Sequence, residues 1–150
     1  EICFLLVGEG SEKKRLEKTV KDQKLQNIVF KGFVSKDDYP ILAKEADIGL
    51  VILNNKNKTP VMPGKILGFM AASLPIVAFL HKESDGHKLI KKAQCGYSMV
   101  PNHLEDAVKL IRRVYHERNN LETSGKNGYS YTLKHFSKEI CIPKLERLIH

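Results

Sequence analysis

The sequence predicts an α/β fold in which a parallel sheet is flanked by helices on both faces. Short apolar runs alternate along the chain with segments whose apolar residues recur every three or four positions. A continuous apolar run is typical of a strand that is buried on both faces, and the second pattern is typical of an amphipathic helix. Strands that alternate with helices form β-α-β units, whose crossovers are right-handed. The 150 residues suffice for about one domain.

Five runs that are apolar or nearly so predict the strands, and a polar residue, glycine or proline follows each. The runs are residues 2–7, 28–30, 48–53, 75–80 and 97–100. Every position of the first run is apolar, so we expect both faces of this strand to be covered. Residues 54–64 are mostly polar and include Pro60 and Pro63, which predicts a loop.

Seven helices are predicted between and after the strands. Ser11 is expected to cap the first helix, and the second is expected to begin after a capping box at residues 35–38. The later helices are predicted at residues 65–73, 85–94, 103–118 and 123–135, with a last one that starts at Ser137.

Four of these helices have a predicted inward face, because their apolar residues follow the helical period. In residues 65–73, this face comprises Ile66, Phe69 and Met70. In the second helix, this face comprises Tyr39, Leu42, Ala43 and Ala46. In residues 103–118, it comprises Leu104, Ala107, Val108, Ile111, Val114 and Tyr115. In the last helix, it comprises Ile140, Leu145 and Leu148.

The charge of the chain indicates the class of partner, and its cysteines indicate the compartment. The chain has 25 Lys and Arg against 17 Asp and Glu, and this net charge of +8 favours anionic partners. Its basic residues are scattered without a row of aromatic residues, so we expect no nucleic-acid partner. Cys3, Cys95 and Cys141 lack C-x-x-C spacing, which is typical of reduced, packed thiols in a cytosolic protein. No apolar run approaches the roughly 20 residues of a membrane-spanning helix.

Two loops at the expected carboxyl edge of the sheet, where ligands bind in such folds, have residue types that suit an anion. In Gly8-Glu9-Gly10-Ser11, glycines allow close approach of the backbone, and the following helix start offers free N–H groups. In Pro63-Gly64-Lys65, the lysine opposes the helix dipole unless an anion binds beside it. A plain turn in the first loop and a solvated lysine in the second remain the alternatives.

The six histidines show no metal-binding spacing, and we expect most of them at the surface and no bound metal. His81 follows a predicted strand at the carboxyl edge, where a ligand could contact it. The sequence contains no convincing Ser-His-acid or Cys-His arrangement, so no catalytic residue is assigned.

Four segments resemble a known enzyme family in their order and spacing. They are FLLVGEGS at 4–11, NIVFKGFVS at 27–35, ADIGL at 46–50 and PGKILGFMAASLPIVA at 63–78. Together they resemble the C-terminal, nucleotide-sugar-binding domain of family 4 retaining glycosyltransferases of the GT-B fold. The resemblance implies a Rossmann-like domain that forms one half of a GT-B architecture. It also implies that the domain's first strand and helix, and a whole N-terminal acceptor domain, would precede Glu1.

The resemblance further implies which residues hold the donor, a UDP- or GDP-linked sugar, and it implies no cofactor. In the family, positions matching the loop at Gly8 and the start of the helix at Lys65 line the nucleotide and diphosphate pocket, and the turn at Gly32 contacts the base. The expected binding residues are Gly8, Glu9, Gly10, Ser11, Gly32, Phe33, Val34, Pro63, Gly64, Lys65, Ile66 and Leu67.

Two departures from the family pattern concern the donor. The family usually has two glutamates separated by seven residues, and these positions are Pro60 and Gly68 here. The side chain that normally binds the ribose hydroxyls is therefore missing. The family's Arg and Lys that neutralise the leaving diphosphate would lie upstream of Glu1. We therefore expect these 150 residues alone to have little or no catalytic activity.

The implied function is sugar transfer from a nucleoside-diphosphate donor to an acceptor sugar or lipid-linked glycan in surface polysaccharide or glycolipid synthesis. The expected location is the cytoplasm, and the basic surface could also hold the parent protein at the inner face of the membrane. Two alternatives remain open. One is a non-catalytic nucleotide- or partner-binding module on the same fold. The other is a sugar-nucleotide epimerase, which would need a histidine and paired acids near the diphosphate.

Overall fold

The computed structural model describes residues 1–53 and 61–149, which contain five strands and seven α-helices. In chain order they are β1 (Phe4–Val7), α1 (Lys13–Asp22), β2 (Ile28–Lys31), α2 (Tyr39–Lys44), β3 (Gly49–Ile52), α3 (Gly64–Ala71), β4 (Ile76–Phe79), α4 (Gly86–Ala93), β5 (Gly96–Met99), α5 (Leu104–His116), α6 (Leu121–Phe136) and α7 (Lys138–Ile149). Strands and helices alternate up to β5, and only helices follow it, including a short 3-10 helix at Arg118–Asn120. The order of strands and helices predicted from the sequence is therefore confirmed. Of the predicted loop 54–64, residues 54–60 lie outside the described residues, and Gly64 already belongs to α3.

The chain forms two compact units, Glu1–Ile41 and the residues from Leu42 onward. In the first unit β1 and β2 pair in parallel, with Phe4 opposite Ile28. In the second unit β3, β4 and β5 form a parallel sheet with β4 in the middle. Ile76 of β4 is opposite Gly49 of β3 and Gly96 of β5. The strands pair in parallel, as predicted, but the described strand pairs form two sheets rather than the single sheet expected.

The core of the second unit is built around β4, whose four residues are all buried. Ile76 and Ala78 pack on one face with buried residues of α3 and α4, among them Ile66 and Ile90. Val77 and Phe79 pack on the other face with Val114 of α5 and Leu121 of α6. Helices therefore cover both faces of this strand, which explains its continuous apolar sequence.

Helix α6 lies close to its neighbours through two glycines that are three residues apart, on one side of the helix. A Cβ added to Gly125 would lie 2.1 Å from the carbonyl oxygen of Ser73. A Cβ added to Gly128 would lie 3.0 Å from the Cβ of Cys95. These positions therefore have no room for a side chain.

The exposure of β1 contradicts the prediction that both of its faces are covered. Leu5, Leu6 and Val7 are 46%, 40% and 39% exposed. Cys3, also expected to be packed, is exposed as well, whereas Cys95 is buried. In the first unit, β1 pairs only with β2, and no residue of α1 (Lys13–Asp22) is buried. A run of apolar residues predicts a strand correctly here, but the described elements of this unit do not supply two covering layers.

Two predictions about helix ends are wrong and one is confirmed in part. Ser11 does not cap α1, because Glu12 occupies the cap position and no described side chain bonds to the helix start. Ala46 lies beyond the end of α2 and is exposed, so it does not belong to the inward face. The capping box forms at Ser35, whose hydroxyl accepts the Asp38 N–H at 3.0 Å and donates to the Asp38 carboxylate at 2.8 Å.

The predicted inward faces of the last two amphipathic helices are partly or wholly wrong. In α5, the predicted residues Ala107, Ile111 and Val114 do pack in the core, together with Leu110. Leu104 and Val108, also predicted to face inward, are 82% and 40% exposed. In α7, no residue of Lys138–Ile149 is buried, and the predicted inward residues Ile140, Leu145 and Leu148 are 36%, 59% and 82% exposed. An apolar stripe shows that a helix has a side suited to burial, but the neighbouring elements decide whether it is covered. None of the described helices is both long and apolar enough to cross a bilayer.

Candidate functional site

The loop after β1 leads into α1 without a capping side chain. Gly8 has a φ of +128°, which favours glycine, and its N–H donates to the Lys31 carbonyl at 3.0 Å. The N–H of Lys13 donates to the Gly10 carbonyl at 3.1 Å, which closes the turn before the helix. The first turn of α1 contains no acidic residue. The N–H groups at this helix start are therefore suited to an anion.

An ion pair lies beside this loop. The ammonium group of Lys13 is 2.7 Å from Glu9 Oε1, and this hydrogen bond raises the pKa of Lys13. A Cβ added to Gly32 would lie 3.1 Å from the same carboxylate oxygen. The loops after β1 and β2 therefore meet at the Glu9 carboxylate. An open cleft of about 530 Å³ adjoins them, lined by Glu9, Gly10, Ser11, Lys13, Lys14 and Glu17.

The other two predicted residues of this unit follow Gly32. Phe33 is 82% exposed, and Val34 is half-buried. The structure thus brings the predicted residues of the first unit, Gly8 to Ser11 and Gly32 to Val34, to neighbouring strand ends. The exposed Phe33 ring is accessible to a planar ligand.

Helix α3 places Lys65 in its first turn, at the carboxyl end of β3. The helix starts after Pro63, which is buried, and no described side chain caps the helix start. Ile66 is fully buried and Leu67 packs against the core, so these two residues anchor the first turn. Gly64 and Lys65 are exposed.

The environment of Lys65 has no compensating negative charge within the described residues. No described carboxylate lies within 4.0 Å of its ammonium group, and the first turn of α3 contains no acidic residue. A cation in this position opposes the helix dipole. An anion bound at the helix start would remove this repulsion, since it would attract both the lysine and the N–H groups.

The connection between β4 and α4 lies beside this first turn. Ser84 donates its hydroxyl hydrogen to the Val61 carbonyl at 2.7 Å and accepts the Gly86 N–H at 3.2 Å. A Cβ added to Gly86 would lie 2.9 Å from Cδ1 of Ile66. The sequence pattern does not single out Ser84, because its partner Val61 is 23 residues away in the chain.

Two histidines, His81 in this connection and His87 in the first turn of α4, are exceptions to the expectation that most histidines lie at the surface. His81 is only 6% exposed, because the chain turns directly after the buried end of β4. Its Nδ1 accepts the Glu83 N–H at 3.2 Å. His87 is half-buried, and its Nδ1 lies 2.9 Å from the Ser98 hydroxyl. The burial of His81 could have been predicted from the sequence, because this residue follows closely after an apolar run that predicts a buried strand.

Of the two positions where the family usually has glutamates, the structure describes only one. Pro60 lies outside the described residues. Gly68 is exposed on α3, and no described atom lies within 4 Å of an added Cβ. The structure therefore has space for a glutamate at this position. In the part of the chain that the structure describes, no three His, Cys, Asp or Glu residues are grouped closely enough to hold a metal ion.

Comparison with known proteins gives a family for most of the chain. The family model of the glycosyl transferases group 1 matches residues 1–117. The putative colanic acid biosynthesis glycosyl transferase WcaI of Escherichia coli K12 is 34% identical over 70 residues, which make up 47% of this chain and 17% of that protein. UDP-glycosyltransferase TURAN of Arabidopsis thaliana is 29% identical over 76 residues, which make up 50% of this chain and 16% of that protein.

Solved structures extend the likeness to nearly the whole chain. Sucrose-phosphate synthase from Thermosynechococcus elongatus matches 97% of this chain with a TM-score of 0.78 at 20% identity. HepE from Anabaena, solved in complex with UDP-glucose, matches 97% with a TM-score of 0.74 at 21% identity. This chain covers only 37% and 40% of those two chains. These neighbours are glycosyltransferases of the GT-B fold, so the predicted fold class is confirmed. From the family match over residues 1–117, together with this fold, we conclude that the chain belongs to the group 1 glycosyl transferases.

Proposed function

We propose that this chain is the donor-binding domain of a glycosyltransferase that uses a nucleoside-diphosphate sugar. The observation that carries the proposal is the start of α3, where Lys65 is exposed, uncapped N–H groups are available, and no described carboxylate is near. The first turn of α1 likewise has no side-chain cap and no acidic residue, although Glu12 occupies the cap position and the Glu9 carboxylate is paired with Lys13. Fixed positive charge and N–H donors at the carboxyl ends of strands suit a diphosphate.

In the proposed reaction, the bond between the anomeric carbon of the sugar and the diphosphate oxygen breaks, and a bond to an acceptor oxygen forms with retained configuration. The electron pair of the broken bond stays on the diphosphate, and the proton of the acceptor hydroxyl passes to the diphosphate oxygen that leaves. Lys65 and the N–H groups of the α3 start would stabilise this developing negative charge. In this proposal, a further domain of the parent protein would hold the acceptor.

The chemistry of the donor and the setting are part of the same proposal. HepE is solved with UDP-glucose, and the pneumococcal O-GlcNAc transferase GtfA, which matches 98% of this chain with a TM-score of 0.73, is solved with UDP and GlcNAc. The name of WcaI refers to colanic acid biosynthesis. These relatives support a UDP-linked donor and a role in surface polysaccharide synthesis. Cytoplasmic location at the inner face of the membrane fits a chain with a net charge of +8.

The proposal is tested by titrating the ¹⁵N-labelled chain with UDP and following the amide resonances. We expect shifts concentrated at residues 8–11 and 64–67, with Phe33 perturbed if the base lies beside it. Uridine, which has the same base and no phosphate, is the matched control and should leave residues 64–67 unchanged. Absence of UDP-dependent shifts in both segments would contradict the proposal.

A non-catalytic nucleotide-binding module is the second candidate, because Gly68 has no side chain to hold the ribose. The space around Gly68 makes Gly68→Glu a direct test, with Gly68→Ala as the control for the change in helix propensity. An increase in UDP affinity of about tenfold in G68E, but not in G68A, would favour a module that has lost the side chain that binds the donor ribose. Unchanged affinity would favour a transferase that holds its donor differently.

A further inference from the structure

The connection between β4 and α4 holds a buried ring nitrogen that has no hydrogen-bond partner within the described part of the chain. The side chain of His81 is buried, and its Nε2 has no hydrogen-bond partner among the residues that the structure describes. Nearly all buried polar atoms in folded proteins are partnered, so an exception at a strand end requires an explanation. A ligand that supplies the missing acceptor is one such explanation.

The backbone determines which ring nitrogen of His81 carries the proton. Nδ1 accepts the N–H of Glu83 at 3.2 Å, so in the neutral ring the hydrogen is on Nε2. Nε2 is therefore a donor, and the partner that it lacks is an acceptor, such as an oxygen atom. The N–H of Ser84 donates to the His81 carbonyl at 3.0 Å, which fixes the turn that presents the ring.

The position of this turn relates His81 to the site proposed above. β4 is the middle strand of its sheet, and His81 lies two residues beyond the carboxyl end of β4. The bond from Ser84 to Val61 holds the turn against the segment that leads into α3. His81 and Lys65 thus belong to adjacent connections at the same edge of one sheet, within the second unit.

We propose that His81 is a further donor-binding residue, whose Nε2–H donates a hydrogen bond to a phosphate oxygen of the nucleoside diphosphate. This inference rests on the proposed function. Because Nε2 is buried without ligand, binding must be accompanied by a small movement of the ring or of the turn. The hydrogen bonds of Glu83 and Ser84 limit this movement, whereas the outer ion pair of the turn opposes it only weakly. Lys82 and Glu83 are exposed and form one ion pair at 3.7 Å, a type of contact that contributes little to stability.

Two substitutions separate binding from folding at this position. His81→Asn keeps an acceptor near the position of Nδ1 for the Glu83 N–H and removes the donor at Nε2. His81→Gln places an amide N–H near Nε2. We expect UDP affinity to fall about tenfold in H81N, which corresponds to about 1.4 kcal/mol at 25 °C, and to stay within about threefold in H81Q. Thermal stability of H81N should match that of the wild type.

His87→Asn is the matched control, because His87 also has a buried Nε2 without a partner among the described residues. We expect H87N to bind UDP like the wild type. Equal weakening in H87N and H81N, or unchanged affinity in H81N, would overturn the inference while leaving the proposed function intact. Failure of the wild type to bind UDP would instead remove the proposed function, and this inference with it.

A second measurement applies even if H81N does not fold. Long-range ¹H–¹⁵N spectra of the wild-type chain report the tautomer and hydrogen bonding of each histidine ring. We expect UDP to shift the Nε2 resonance of His81 and to leave that of the exposed His116 unchanged. A UDP titration that shifts residues 64–67 but not the His81 ring would overturn the inference.

Discussion

Replacement of Lys65 by methionine should have opposite effects on stability and on ligand binding. Lys65 lies in the first turn of α3, where no described acidic residue offsets its charge. Lysine and methionine have similar helix propensities, so the main change to the free chain is loss of a cation that opposes the helix dipole. The free energy of unfolding should therefore rise by about 0.3–1 kcal/mol in the absence of ligand.

The expected changes can be measured by thermal unfolding and by titration with UDP. For a chain of this size, a stability gain of that order raises Tm by roughly 1–4 °C. A hydrogen bond from a charged donor contributes about 1.5–3 kcal/mol, so UDP should bind roughly 10- to 150-fold more weakly to K65M. A solvated lysine without a role would give the same change in Tm and no change in affinity.

Lys92→Met is the matched control, because Lys92 is exposed in the last turn of α4, where a cation complements the helix dipole. K92M should lower Tm by a similarly small amount and should leave UDP affinity unchanged. UDP affinity of K65M within about twofold of the wild type would refute the role assigned to Lys65. Equal loss of affinity in both variants would show a general effect of net charge and would refute it as well.

Two further predictions concern packing. Gly125→Ala should destabilise the chain by about 1–3 kcal/mol, because the added Cβ would lie 2.1 Å from the Ser73 carbonyl oxygen. Gly68→Ala should instead stabilise it by about 0.5–1 kcal/mol, because alanine is the better helix former and no described atom is near. Urea unfolding measures both, and changes of the same sign would contradict this account. Burial raises the pKa of the Cys95 thiol to about 11. At pH 8, a thiol reagent should therefore modify the exposed Cys3 in the native chain and Cys95 only after unfolding. Rapid native labelling of Cys95, located by mass spectrometry, would disprove its protection.

The sequence alone predicts the strands, the helices and the loops that follow the strands. These features depend on residues close together in the chain, such as the continuous run of β4 and the glycines after β1. Lys65 could be placed at a helix start for the same reason, since the prolines before it and the apolar period after it are local signals. The roles of the twelve expected binding residues stay predictions.

Only the tertiary structure decides which apolar faces are covered and which polar groups meet. The stripes of α5 and α7 follow the same period, yet Val114 is buried and Leu148 is 82% exposed, because burial requires a neighbouring element on that side. Other features also depend on packing between separate elements. Glu9 lies close to Gly32, and Ser84 bonds to Val61, although each pair is far apart in the chain. The burial of His81 likewise depends on the elements packed around it. Local patterns determine where strands, helices and turns form, whereas these contacts arise only when distant segments pack together.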